Sequence, residues 1–500
     1  MRSTFVLLIL GAAVACGDSN NSTPDAPKHP DANQNDAAGD AAADATPDAA
    51  PDAAPDAAPD GATDAGMDGM GSGSATQSRV WAMGDFVTNG TIQAGWFTDG
   101  DTLPATPATV PAAPAVLATS HTVNTISHPY TDFVFDATPT KTAMVADITT
   151  AGTFDLYAAD ADGTNPTLLV PAATNIEITT IALSPDGTKV AYMMDSATYD
   201  NSFDVWVVNT TGTPVPILVS PVRNIAAPNP AALSAFTGSL KWSADSKFIG
   251  FSGDFTTDGH SQAYEVDTTA ATPAPIEMLA DADLSGTSAG VRGDILFDGS
   301  DKAYFRAGLT DTTTFQFFQW DGTQRTALAL PMRGDNSTAN VGAFAFSPDG
   351  ATIVFSADAP LATAYDLYAT PVATWNPVRL TTATLAGTNP PHNLAPEFSP
   401  DGTQVAFIAD YTTNDVIEPY VAAVDGSGMH RLANFTITFT DAEQVSWTAD
   451  GTAIYVQGDL AANNDSTLFR VDPTMTDGTA TQAITVPTSG DVFNSFVRAK

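Results

Sequence analysis

The sequence is poor in cysteine and in basic residues. A single cysteine, Cys16, means that no disulfide can form within the chain, so the fold must be held by packing. Lysine and arginine total 18 against 57 acidic residues, which gives a formal net charge of −39. Nucleic acid and anionic lipid headgroups both require a basic surface. This balance therefore argues strongly against either as a partner.

The chain also lacks the apolar spacing of amphipathic helices. From residue 78 onward, short β-branched and aromatic runs are separated by turns of Gly, Asp, Asn and Pro. This pattern predicts an all-β fold. Residues 17–77, in contrast, have almost no large apolar side chain and repeat Pro, Asp and Ala. Such a composition cannot offset the entropy of ordering, so we expect residues 16–77 to be a disordered, semi-stiff linker.

The N-terminal residues have the order of an export signal. One arginine precedes an apolar run at 5–10, and small residues at 13–15 lead into Cys16. The arrangement resembles a bacterial lipobox, in which the cysteine is lipidated and becomes the first mature residue. We therefore expect a signal peptide at 1–15 and a protein that touches the membrane only through its lipid anchor, on the outer membrane of the cell envelope and on its periplasmic or surface side. An ordinary signal peptide with an incidental cysteine is the alternative.

One short segment is written three times in nearly the same form. "ALSPDGTKVAYMMD" spans 182–195, "AFSPDGATIVFSAD" spans 345–358 and "EFSPDGTQVAFIAD" spans 397–410. Ser-Pro-Asp-Gly suits a type I turn, because proline presets φ and glycine accepts a left-handed conformation. A nucleophilic serine would need a base and an oxyanion site at one place rather than in many similar hairpins. We interpret the segment as a structural turn.

The repeat has three recognisable runs, and their numbers differ. The run after the turn and the run about ten residues later each occur eight times, whereas the run before the turn occurs seven times. A spare apolar run, "DVFNSFVR", ends the chain at 491–498. In a β-propeller each four-stranded blade packs only on its neighbours, so the ring must close. We predict an eight-bladed propeller over 78–500, closed by this C-terminal strand joining the first blade, with seven blades and an N-terminal flap as the alternative.

"SPDG…AF" followed by "DLY…DADG" resembles the repeats of TolB-type propellers, which also occur in propeller domains of prolyl-oligopeptidase relatives. The resemblance covers nearly everything after residue 78. It implies an envelope component that binds other envelope proteins. The leading hypothesis is therefore a monomeric, lipid-anchored scaffold with no enzymatic activity and no cofactor. The alternatives are a propeller enzyme, a lyase or hydrolase acting on polysaccharide or peptide, and a calcium-dependent adhesion module.

Two sets of charged residues fall at equivalent points of the repeats. An aspartate closes most of the runs after the turn, which would place a ring of carboxylates on one face for a cation or basic partner. Capping of the residue's own loop through an Asx-type hydrogen bond is the simpler interpretation, and the ring is the alternative. This candidate binding face comprises Asp85, Asp147, Asp195, Asp254, Asp358, Asp410 and Asp459. A second set begins the innermost strands and would line the channel mouth: Asp132, Arg292, Asp294, Asp441, Glu443 and Asp491.

The sequence assigns no metal site. "DADGTN" at 160–165 lacks the full spacing of a calcium loop, and the six histidines show no spacing typical of ligands on one element. The enzyme alternative requires acid–base groups that converge at the channel. Convergence of Arg292, Arg333, His260 and His392 would favour it.

Overall fold

All described strands lie in one compact unit, Ala75–Lys500. Among the described residues, no helix is long and apolar enough to cross a membrane. The predicted signal peptide, linker and Cys16 fall outside the described part of the chain. The structure is a computed structural model that describes residues 78–84, 93–98, 134–138, 140–146, 155–161, 165–171, 177–195, 202–224, 226, 233–236, 239–285, 289–310, 314–333, 337–361, 364–381, 396–411, 416–433, 442–458, 466–478, 480–484 and 492–499.

The described strands form eight antiparallel sheets, numbered here in chain order. Sheets 1 to 4 contain β1 (Ser78–Gly84), β2 (Gln93–Thr98) and β32 (Val492–Ala499); β3 (Val134–Ala137), β4 (Lys141–Ala146), β5 (Asp155–Asp160) and β6 (Thr167–Val170); β7 (Ile178–Leu183), β8 (Lys189–Asp195), β9 (Phe203–Asn209) and β10 (Ile217–Leu218); β11 (Lys241–Trp242), β12 (Phe248–Gly253), β13 (Gln262–Asp267) and β14 (Pro275–Leu279).

Sheets 5 to 8 follow the same order, and a short 3-10 helix, Asp281–Asp283, leads into sheet 5. In sheet 5 the first strand is divided in two, and both parts pair with β17. These sheets contain β15 (Gly290–Val291), β16 (Leu296–Phe297), β17 (Ala303–Gly308), β18 (Gln316–Trp320) and β19 (Arg325–Ala327); β20 (Val341–Phe346), β21 (Thr352–Leu361), β22 (Ala364–Pro371) and β23 (Val378–Arg379); β24 (Glu397–Phe398), β25 (Gln404–Ala409), β26 (Glu418–Ala423) and β27 (Met429–Arg431); β28 (Ala442–Trp447), β29 (Ile454–Gly458), β30 (Thr467–Val471) and β31 (Thr481–Ile484).

The second and third strands of each repeat carry the core. Strand β25, QVAFIA, is buried at five of its six positions, whereas the two residues of the fourth strand β10 are exposed. An aromatic pair recurs across the second and third strands, as in Phe407 stacked on Tyr420 at 5.6 Å between ring centroids. The core residues form clusters that each span two neighbouring sheets, so a sheet buries its faces only against the next one.

The innermost strands contact one another in chain order. β3 meets β7, β7 meets β11, β11 meets β16, and the series continues through β20, β24 and β28 to β32. Hydrogen bonds join some of these neighbours directly: the Leu183 N–H donates to Asp136 Oδ2 at 2.8 Å, and the Trp447 N–H donates to Glu397 Oε1 at 2.9 Å. This all-β arrangement is a β-propeller, as the repeats predict.

The C-terminal strand lies beside the first strand after the linker. β32 pairs antiparallel with β1, from Ser78 opposite Ala499 to Gly84 opposite Val492. It takes the position in sheet 1 that the innermost strand takes in the other sheets. The contact of β32 with β3 that would complete the ring stays a prediction, and so does the count of eight blades.

Deletion of residues 492–500 tests the part that β32 plays. Without it, β1 keeps only β2 as a strand neighbour, so we expect a lower melting temperature, broader thermal unfolding and faster amide exchange over 78–84. Differential scanning calorimetry and hydrogen exchange would measure these changes, with deletion of Lys500 alone as the control. Unchanged melting and exchange in the longer deletion would contradict a structural role for β32.

Candidate functional site

The repeated Ser-Pro-Asp-Gly segment is a turn in the structure. In the turn at 399–402, the Gly402 N–H donates to the Ser399 carbonyl at 2.9 Å, and the Ser399 hydroxyl donates to Asp401 at 2.6 Å. Gly402 has a φ of +72°, the left-handed region that glycine occupies without strain. The bonds from Ser399 and from the Thr403 N–H hold the pKa of Asp401 below its usual range. The serine and the aspartate are therefore both used to hold the turn.

The turns of neighbouring sheets also touch. The Asp186 N–H donates to Ser246 Oγ at 3.0 Å, and a methyl group on Gly350 would lie 2.0 Å from the Gly299 nitrogen. Each of these turns joins an innermost strand to the second strand of its sheet. They therefore meet at one end of the propeller, where they add contacts between sheets to those of the core.

Of the four candidate binding-face aspartates that the structure describes, three are buried. The exposed fraction is 4% for Asp195, 3% for Asp254 and 1% for Asp358. Asp410 is half-buried. Asp85, Asp147 and Asp459 lie outside the described residues.

Two of these buried carboxylates hold the loop that enters the innermost strand of their sheet. Asp254 accepts the Ser234 N–H at 2.9 Å and the Gly259 N–H at 3.0 Å, and burial raises its pKa. Asp358 accepts the Asn340 N–H at 2.6 Å and binds Arg333 through both carboxylate oxygens. Capping of a loop, rather than an open ring of charge, accounts for these two residues.

Three of the six candidate channel-mouth residues lie in the described part of the chain. Asp294 forms an ion pair with Lys241 at 3.6 Å, and both side chains are more than two-fifths exposed. Glu443 accepts from Gln457 Nε2 at 3.2 Å and from Ser466 Oγ at 3.1 Å. Arg292 lies between β15 and β16, and its backbone carbonyl accepts a hydrogen bond from Arg306 Nε at 2.9 Å. The remaining three, Asp132, Asp441 and Asp491, are outside the described residues.

Three arginines meet where the innermost strands of sheets 5 and 6 adjoin. Arg306 donates from Nε to the Arg292 carbonyl at 2.9 Å and from Nη1 to the Val341 carbonyl at 3.2 Å. Burial and the charge of Asp358 raise the pKa of Tyr365, and the charges of Arg306 and Arg333 partly oppose that rise. We call Arg292, Arg306 and Arg333 the arginine cluster. Arg306 and Tyr365 were missed by sequence reasoning, because no local pattern marks two residues that meet across sheets.

The histidines do not join this cluster in the described part of the chain. His260 Nδ1 lies 2.8 Å from Asp281 Oδ1 in sheet 4, and His430 Nε2 lies 2.8 Å from the Pro473 carbonyl. His392 is outside the described residues. Among the residues that the structure describes, no three His, Cys, Asp or Glu side chains are placed to hold a metal ion.

Sequence reasoning also missed a hydrogen bond between a tyrosine and a carboxylate that occurs on two of the third strands. The Tyr157 hydroxyl donates to Asp155 at 2.9 Å, and the Tyr420 hydroxyl donates to Glu418 at 3.0 Å. Arg431, on the fourth strand of sheet 7, forms an ion pair with Glu418 at 2.6 Å. The signal was present as an acid two residues before a tyrosine, in "DLY" and "EPY". These pairs satisfy buried carboxylates and serve the fold.

An apolar patch lies on the outer edge of sheet 3. We call it the outer patch and define it as Val215, Ile217, Leu218 and Val222, which are 62%, 42%, 39% and 87% exposed. Val215 and Ile217 line a cleft with Thr268 and Pro273 of sheet 4.

The segment that carries the outer patch is held in place by a buried arginine, Arg223. Arg223 follows Val222 directly and is 8% exposed. Its guanidinium donates to the Leu233 carbonyl at 2.8 Å and to the Ser202 carbonyl at 2.7 Å, and it pairs with Asp204 at 3.0 Å. The apolar side chain of Val222 is therefore held outward by a buried anchor.

No protein-family model matches the sequence, and no curated protein matches it significantly. Solved structures similar to it include TolB from Acinetobacter baumannii, at 16% identity over 74% of this chain and 82% of that chain, with a TM-score of 0.36. The propeller domain of the Trilobed protease from Pyrococcus furiosus matches at 12% identity over 71% of this chain and 96% of that chain, with a TM-score of 0.42. The predicted TolB-like β-propeller is confirmed as a fold.

The expectation that the chain has no enzymatic activity is wrong as an inference from this fold. An oligogalacturonate lyase in complex with manganese matches at 14% identity over 67% of this chain and 88% of that chain, with a TM-score of 0.42. Prolyl oligopeptidase B from Galerina marginata matches at 10% identity over 72% of this chain and 52% of that chain, with a TM-score of 0.46. Similar propellers therefore include enzymes, although likeness at these identities shows the fold alone.

The turn role of the repeated segment can be tested at one glycine. In Gly402→Ala the added methyl group has space, but the left-handed backbone becomes strained, so we expect a loss of about 1–2 kcal/mol in unfolding free energy. Gly428→Ala is the matched control, because its φ is outside that region and nothing lies within 4 Å of the new methyl. Chemical denaturation would measure both variants. Equal stability of the two would contradict the assigned turn geometry.

Proposed function

We propose that the protein is a lipid-anchored β-propeller of the bacterial cell envelope that binds another envelope protein through the outer patch. In this proposal Cys16 carries the lipid at the outer membrane and residues 16–77 hold the propeller away from the bilayer. The protein acts as a monomeric scaffold. The observation that carries the binding function is the exposed apolar edge of sheet 3, with Val222 at 87% exposure.

The outer patch has the properties of a recognition surface. β10 is the last strand of its sheet, so its free edge offers backbone N–H and C=O groups to an extended segment of a partner. Apolar side chains beside that edge supply burial, and the cleft shared with sheet 4 can receive a side chain of the partner. Because the chain carries a net charge of −39, a partner segment with basic flanks is favoured.

Substitution within the outer patch tests partner binding. Ile217→Glu places a charge on the exposed edge and should lower recovery of the partner about tenfold or more, because a buried unpaired carboxylate is costly. The measurement is quantitative affinity capture from envelope extracts, and melting temperature reports whether the variant folds. Met475→Glu, at an exposed apolar residue of sheet 8, is the control. Undiminished capture by Ile217→Glu would exclude this patch as the binding surface.

The anchor is tested separately by Cys16→Ser in the producing bacterium. The variant cannot be acylated at this position, so we expect it to leave the outer-membrane fraction and enter the soluble fraction. Ser19→Ala, three residues away in the linker, should fractionate like the unaltered protein. Retention of Cys16→Ser in the outer membrane after a high-salt wash would rule out lipid anchoring at this residue.

A further inference from the structure

The arginine cluster contains a cation whose hydrogen-bonding capacity is only partly used. Arg306 lies on β17 with its side chain half-buried. Nε and Nη1 donate to two backbone carbonyls, but Nη2 donates to no described residue. A guanidinium has five N–H donors, so three remain available here. The Arg306 carbon Cζ lies 5.5 Å from the centre of the Phe315 ring, which limits solvation on that side.

The neighbouring carboxylates are already engaged. Asp358 is bound by Arg333 and Asp294 is paired with Lys241, so neither forms an ion pair with Arg306. Burial, the largest effect, and the charge of Arg292 lower the pKa of Arg306, whereas Tyr365 and Asp294 raise it; the net direction is downward. An anion at the unused N–H groups would offset the part of the burial cost that these neighbours leave.

Tyr365 supplies a second donor at the same place. Its side chain is half-buried on β22, and its hydroxyl has no hydrogen-bond partner among the described residues. Burial, together with the charge of Asp358, raises the pKa of Tyr365, so the hydroxyl keeps its proton at neutral pH. Arg306 holds the Val341 carbonyl at 3.2 Å, and the next residue, Gly342, lies beside the Tyr365 ring, so the guanidinium and the tyrosine are neighbours at one site.

A glycine lets the backbone of β20 pack closely beside Tyr365. Gly342 follows Val341, whose carbonyl Arg306 holds, and it lies where the register of β20 shifts. A methyl group on Gly342 would lie 3.4 Å from Tyr365 Cε1 and 2.3 Å from Ser356 Oγ. Any side chain at this position would clash with the Ser356 hydroxyl, whereas its contact with the Tyr365 ring would be of ordinary length.

We propose that Arg306 and Tyr365 bind the carboxylate of a small ligand at the innermost strands of sheets 5 and 6. A guanidinium N–H and a phenolic O–H are both donors, and a carboxylate offers two acceptor oxygens on one plane. The nearby carboxylates of Asp294 and Asp358 disfavour a dianion, so a singly charged group fits best. This proposal is independent of the proposed function, because it uses neither the outer patch nor the anchor.

The carboxylate could belong to an acidic sugar or to a peptide terminus, and paired probes distinguish these two classes of ligand. Glucuronate against glucose represents an acidic sugar, and N-acetyl-alanyl-alanine against its C-terminal amide represents a peptide terminus. Binding of the full-length protein in detergent would be measured by isothermal titration calorimetry, with inorganic phosphate as a control for simple charge attraction. We expect at least one carboxylate to bind and its neutral analogue not to bind.

Variants of the two donors decide whether the binding belongs to this site. Arg306→Gln should weaken binding about tenfold or more, since hydrogen bonds to a charged partner are lost. Tyr365→Phe removes only one hydroxyl and should weaken binding severalfold, which keeps the test open if Arg306→Gln fails to fold. Arg325→Gln, on the outer strand of the same sheet and paired with Asp283, is the matched control and should bind normally.

Each outcome bears on the proposal. Binding of one carboxylate that is weakened by either donor variant, and not by Arg325→Gln, supports it and identifies the source. Failure of both carboxylates to bind, equal binding of the neutral analogues, tighter binding of phosphate, or binding unaffected by Tyr365→Phe and a folded Arg306→Gln would overturn it. Partner capture through the outer patch is unaffected by any of these results.

Discussion

The structure depends on burial between neighbouring sheets. Among the described residues, the core clusters of sheets 2 to 8 each combine buried side chains of two neighbouring sheets, as in the cluster shared by sheets 3 and 4. With a single cysteine in the chain, no disulfide replaces this packing. The innermost strands and the turns add hydrogen bonds across the same boundaries, for example from Leu183 to Asp136. Stability in such an array comes largely from interfaces between neighbours.

This dependence explains how the acidic residues are used. Most aspartates near the strand ends and turns hold backbone groups: Asp254 and Asp358 fix loops, and Asp401 fixes a turn. The two binding sites proposed above have other chemistry. One is the apolar outer patch around Val222, and the other is the half-buried guanidinium of Arg306. A protein rich in carboxylates therefore presents its most distinctive sites through apolar and basic groups.

The sequence predicted the strands around each Ser-Pro-Asp-Gly turn because that turn chemistry and the alternating pattern are local. The same reasoning passed over the fourth strands, which are as short as two residues and exposed, as in β10. Repeat symmetry placed the strand-end aspartates at equivalent points but gave no measure of burial, so it could not distinguish loop capping from an open face; Asp358 lies 1% exposed. Arg306 and Tyr365 are distant in sequence, and their proximity arises only when sheets 5 and 6 pack together.

The divided first strand of sheet 5 makes one repeat unlike the rest. Between β15 and β16 the strand pairing with β17 is interrupted. There Gly293 adopts a φ of +79°, and the Arg292 carbonyl accepts a hydrogen bond from Arg306. A ring of equivalent repeats would offer the same feature once per repeat. Among the described sheets this irregularity singles out one boundary, so a ligand bound at the proposed site would have a stoichiometry of one per chain and a defined orientation relative to the innermost strands.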